Sequence, residues 1–282
     1  MPDLWGLASI ATKFALYLGV LTSVGTVLAA LMFKLTGYRR FSIGFAVVGM
    51  IATLLSFSLA GATLTGDASG MTDPEMLGLL WSTPVGTTVA LRMAGLGLLV
   101  VGLFAGRVGL ILSMIGGVLA LWSFVNIGHI PDRGSLLLNL VLMFHLAAIS
   151  IWIGVLSPLR AISLDAERVS DAADLGHRFG TMAAVFVPLL ILAGGYMSYE
   201  LVGSLSALIS GGYGQALVLK VMFVAGLLGL AAANKLRFIP AMTTGDRAAA
   251  GRLAKSISFE WIVIVAVLLT TAVLTSVLTL PS

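Results

Sequence analysis

Eight runs of roughly 20 apolar residues, nearly free of charge, constrain this chain more than any motif does. They lie near 5–33, 41–64, 85–104, 108–127, 136–157, 179–202, 215–233 and 257–280. Each is long enough to cross about 30 Å of hydrocarbon as a helix. The runs are continuous rather than alternating, which excludes a transmembrane barrel. The expected fold is therefore all-α, a polytopic membrane protein with eight transmembrane helices and the lipid bilayer as its main partner. The connections are short except for 65–84, 158–178 and 235–256, and none can hold a soluble domain. The first run is too long for a cleavable leader and is read as helix one.

Composition removes other classes. Charged residues make up 10% and the hydrophobic set 59%, against about 25% and 45–50% in globular chains. A soluble domain and a disordered chain are excluded. The absence of cysteine excludes a disulfide scaffold, a thiolate metal site and a cysteine nucleophile. The net charge is +4, but the sixteen Lys and Arg are scattered over short loops, so no nucleic-acid partner is expected.

Those bases instead report orientation. Lys34, Arg39 and Arg40 follow helix one, and Arg107 follows helix three. Arg160, Arg168 and Arg178 follow helix five; Lys235, Arg237, Arg247, Arg252 and Lys255 follow helix seven. The opposite loops hold only Arg133. Both termini are therefore expected outside the cytoplasm, in the periplasm if the membrane is a bacterial inner one.

A short internal match divides the chain. Gly86 to Arg92 opens helix three and Gly214 to Lys220 opens helix seven, at one constant offset. The expected division is 1–134 and 135–282, a 4+4 parallel repeat of a kind found in transporters.

Ionisable groups inside spans are functional candidates by default. His145 lies about 15 Å into helix five, near the midplane, and shares a face with Ala148, Ile149 and Trp152. His129 ends helix four on the outer side, while His177 reads as a solvated residue at a helix entry. Glu260 lies just inside the cytoplasmic end of helix eight, where it could receive a cation, relay a proton or pair with Lys255. Lys13, Arg92 and Lys220 are expected to snorkel outward. Met182 and Met222 fall near the depth of His145, about 12–13 Å inside their helices. The outer loop carries Met71, Met76, Asp73 and Glu75, which could capture cations. Neutral imidazole with thioether is a soft, uncharged ligand set that suits Cu(I) better than Mg, Ca or Mn. Haem is the rival, since histidine is also a haem ligand. Hydrolase and phosphate-loop motifs are absent from the sequence.

The carboxyl half resembles the copper resistance D family of integral membrane proteins. The resemblance runs through Gly128-His129, His145 to Ala148, Trp152 to Gly154 and Leu156-x-Pro158-Leu159. It continues in Arg178-Phe179, Tyr213 to Leu217 with Leu219-Lys220, Ala233-Asn234-Lys235 and Pro240, then Ser256, Glu260 and Leu274 to Ser276. The amino half is similar at Thr83, Gly86 and Leu91-Arg92. The family often has an acidic residue where this chain has Asn139, and a serine where it has Gly180.

The resemblance implies copper uptake or resistance beside a periplasmic copper-binding partner of the C type, and not an enzyme. The expected ligands are His145, His129, Met182, Met222 and Glu260, with Trp152, Asn139 and Lys220 supporting the site. Two alternatives stay open: a haem-binding membrane oxidoreductase, and a copper-delivery or assembly protein without transport.

Overall fold

The computed structural model describes residues 3–280, and all regular structure in that range is helical. The spanning helices are α1 (Leu4–Phe33), α2 (Arg39–Thr65), α3 (Pro84–Gly102), α4 (Gly106–Trp122), α5 (Leu136–Ser163), α6 (Val169–Val202), α7 (Gly212–Ala233) and α8 (Arg247–Ser276). Eight helices in the described range are long and apolar enough to cross a membrane. A bilayer core offers backbone groups no water, so only helices and closed barrels satisfy them there. The chain is a multi-pass membrane protein.

Several helices outrun their apolar stretches. The segments 158–178 and 235–256, expected as connections, are largely helical, because α5 runs to Ser163, α6 starts at Val169 and α8 at Arg247. Polar sequence supports these extra turns locally. Arg168 pairs with Asp171, Arg178 with Asp174, and Asp246 caps α8 while pairing with Arg252 at 2.5 Å. The Arg252 hydrogen bond is the main reason the Asp246 carboxyl sits below its ordinary range, helped by the Ala249 and Ala248 amides. Hydropathy detects the membrane portion of a helix and not its wetted end.

α7 does not stop at its apolar limit either. It continues through a π-helical turn, Asn234–Phe238, into a short helix at Ile239–Thr243. Such wide turns recur at functional sites.

Helix α1 is the hub, with α2, α4, α5 and α8 packed around it. Lipid supplies no hydrophobic drive between helices, so close approach at small residues holds the bundle together. The α1–α5 crossing is the tightest case. A Cβ at Gly25 would fall into the Ser150 carbonyl, and one at Gly154 into the backbone of Gly25. Gly86 and Gly214 also occupy matching settings. Each is the third residue of its span, and a Cβ on either would strike the backbone closing the short helix before it, Pro74–Trp81 or Leu205–Ser210.

Lys13 and Tyr17, in the first half of α1, both bond to Thr275 near the end of α8. The two termini therefore share one end of the bundle. The clustered bases of 34–40, 160–178 and 235–255 lie at the other, the basic end.

Candidate functional site

The second half builds a polar centre inside apolar walls. Glu260 on α8 is only 1% exposed, although it carries a carboxylate. The Trp152 indole on α5 donates to its Oε2 at 3.1 Å, and the Asn234 amide donates to its Oε1. Burying a carboxylate is costly unless its oxygens are hydrogen-bonded. Both oxygens here are engaged, and neither partner is a cation. Phe179 on α6 meets Trp152 edge-on, with centroids 6.3 Å apart at 75°, and holds the indole in plane. Glu260 lies thirteen residues from the start of α8, about 20 Å by helical rise. The expected position just inside the helix entry is thus corrected, because α8 extends well past its apolar run, and of the open alternatives the pairing with Lys255 is not seen.

A cavity of about 270 Å³ opens beside this cluster, lined by Trp152, Phe179, Asn234, Lys235 and Glu260 among otherwise apolar groups. Its walls come from α5, α6, α7 with its π turn, and α8. Gly180 lies on this wall, and a Cβ there would touch the Lys235 stem at 3.4 Å. The π turn brings Asn234 to the carboxylate. In the sequence Asn234 is part of the family resemblance but carries no mark of a role. The one local signal is an amide closing an apolar span.

His145 stands about 10 Å along α5 from Trp152, on the same face. Its Nδ1 is buried without a well-formed hydrogen bond, although the Leu190 backbone of α6 lies within reach of the ring. The ring lies against Gly194 of α6, where a Cβ would be 3.5 Å from Cε1. His145 does not line the cavity beside Glu260. His129 meets Tyr213 edge-on at 5.8 Å, and its Nε2 is likewise buried and unpartnered. Asn139, on the helix of His145, has a buried Oδ1 with no partner.

The methionines need correction. Met222 is 57% exposed on the outer face of α7, so it faces lipid and not the bundle interior. Met182 packs against the core, but it is twelve residues from Gly194, about 18 Å of rise, and does not reach His145. Equal depth does not mean a shared face. Met197, which depth does not select, is buried three residues beyond Gly194. It packs with Leu138, Val141 and Leu142, the α5 face that carries His145, and with Ile130 next to His129.

The outer loop is also reassigned. Asp73 caps the helix Pro74–Trp81, accepting from the amides of Glu75 at 2.9 Å and Met76 at 3.4 Å. Asp67 caps Ala68–Met71, and hydrogen bonds from Ser69 and then Ala68 hold its carboxyl below the ordinary range. Glu75 is exposed, and Met71 and Met76 are half-buried. Local capping explains the two aspartates. Asp73→Ala is expected to cost about 1 kcal/mol, seen in thermal unfolding, with copper handling unchanged. Among the described residues, no three His, Asp or Glu side chains cluster as a ready metal site.

Arg92 does not snorkel. It is 7% exposed, donates from Nε to Ser123 Oγ at 2.8 Å, and stacks on Phe124 at 4.5 Å. Lys13 turns to the Thr275 carbonyl. Lys220 is half-buried and within electrostatic reach of His145. The offset that relates Arg92 to Lys220 also relates Tyr17 to His145.

Comparison with known proteins agrees with this architecture. Residues 1–137 match the family described as copper resistance protein D-like, N-terminal domain, and residues 173–274 match copper resistance protein D. The chain is 28% identical over 280 residues to the copper resistance protein D of Pseudomonas syringae pv. tomato, with 89% of each covered. No solved structure matches it. Two family matches along the chain, a full-length relative and eight apolar spans lead to one assignment: this chain belongs to the copper resistance D family of membrane proteins.

Proposed function

We propose that the chain carries copper ions across a bacterial inner membrane, from the periplasm toward the cytoplasm. The observation that carries this reading is the pair of imidazoles with buried, unpartnered nitrogens, His129 and His145, with the Met197 thioether packed between their levels. Buried polar atoms are normally paired, so orphan ring nitrogens are ligands in waiting. Imidazole and thioether without thiolate favour Cu(I). Glu260, nearer the basic end, supplies a negative charge that draws the cation onward from the histidines. The basic end is cytoplasmic by the positive-inside rule, which leaves both termini in the periplasm. Copper reaches His129 from that side, delivered by a periplasmic copper-binding protein of the C type. The inward direction rests on the family resemblance alone.

The test uses purified protein in liposomes loaded with a Cu(I) chelator. Wild type is expected to accumulate copper, His145→Ala to lose at least about tenfold of the rate, and Met197→Leu to weaken it with folding intact. A wild-type rate in His145→Ala removes that residue from the route. A Soret band in the purified wild type that disappears in His145→Ala would establish the haem reading instead.

A further inference from the structure

The bundle holds a second polar centre at the termini end, far from Glu260 and opposite to it in charge. Arg92 of α3 and Lys13 of α1 are linked there through Phe124, Tyr17 and Thr275. Phe124 stacks with both the Arg92 guanidinium, at 4.5 Å, and Tyr17, at 5.6 Å. Tyr17 and Lys13 both bond to Thr275.

The charges in this centre do not balance. Among the described residues, the ion pairs are Arg168–Asp171, Arg178–Asp174 and Arg252–Asp246, all exposed, and none includes Arg92 or Lys13. Lys13 faces the carboxyl end of α8, worth about half a negative charge. Arg92 has only a neutral serine hydroxyl on Nε, and its Nη groups meet no acceptor among the described residues. A buried guanidinium and a half-buried ammonium therefore face about half a negative charge, and an uncompensated buried ion such as Arg92 costs several kcal/mol. Such groups either lose their charge or take a counter-ion, and a guanidinium does not deprotonate in proteins.

We propose that Arg92 and Lys13 hold a small monovalent inorganic anion, of which chloride is the abundant example, at the termini end of the bundle. Burial selects the class: with Arg92 7% exposed between Phe124 and Ser123, a small ion loses less by approaching the guanidinium than a bulky headgroup does. The proposal stands independently of copper transport.

The experiment is thermal unfolding of the full chain in detergent, with sodium gluconate replaced stepwise by chloride or bromide at constant ionic strength. A ligand that binds the folded state raises Tm in a saturable way. Wild type is expected to show that rise, Arg92→Gln to lose it, and Lys255→Gln, which changes an exposed base, to keep it. Lys13→Met is expected to weaken the apparent affinity about tenfold, and it serves as the readout if Arg92→Gln does not fold. Identical wild-type Tm in gluconate and halide overturns the proposal. So does an equal halide rise in Arg92→Gln, or in Lys13→Met where that variant is the readout.

Discussion

Glu260→Gln is expected to fold and to lose copper accumulation in liposomes by at least about tenfold, the largest functional effect expected of any single conservative change in the bundle. The substitution keeps size and shape but removes the negative charge. The carboxylate accepts from Trp152 on one oxygen and from Asn234 on the other. A glutamine amide has only one oxygen, so one donor must face an NH2 group and lose its acceptor. That loss costs about 1–3 kcal/mol, within reach of a stable bundle. Glu260→Ala is more severe, since it strands both donors. Trp152→Phe removes one donor, leaves the charge, and is expected to retain part of the activity. Wild-type copper accumulation by Glu260→Gln would show that the buried charge takes no part in the route. Circular dichroism and detergent melting distinguish failure of function from failure to fold.

The largest stability effect is expected at Gly154. Its Cβ position lies inside the backbone of Gly25, while Gly25 in turn faces the Ser150 carbonyl. No flexible side chain is present to yield, so α1 and α5 must separate along their crossing. Overpacking a tight core costs about 1–3 kcal/mol and sometimes more. Gly154→Val is expected at or above the top of that range, because α1 is the hub on which α2, α4, α5 and α8 depend. Gly226, with nothing within 4 Å of its Cβ position, is the matched control. Gly226→Ala is expected to be neutral, or to stabilise by up to about 1 kcal/mol by removing backbone freedom. Equal melting curves for Gly154→Val and Gly226→Ala would show that the α1–α5 contact is not what holds the bundle.

The residues that sequence reasoning singles out are those for which burial is a matter of depth. His145 and Glu260 stand out because an ionisable group in a long apolar run is conspicuous without knowledge of its neighbours. The methionines are the opposite case. A thioether is apolar enough to face lipid or protein, so depth cannot separate Met222, which faces outward, from Met197, which packs on the His145 face. Asn234 is hidden differently. Its approach to Glu260 depends on a π turn, which displaces the helical register by one residue and leaves little trace in a hydropathy pattern.

The sequence alone therefore determined the number of spans, their alternating direction and the end at which the bases gather. Each of these follows from a sum over neighbouring residues, the cost of crossing hydrocarbon. Tertiary structure alone decided which face each helix turns inward. It pairs Trp152 and Asn234 with Glu260, brings Arg92 and Lys13 into one centre, and turns Met222 to the lipid. The reason is that rotation about a helix axis costs almost nothing in an isolated apolar helix. It is fixed only where small residues such as Gly25 and Gly154 let two backbones lock together.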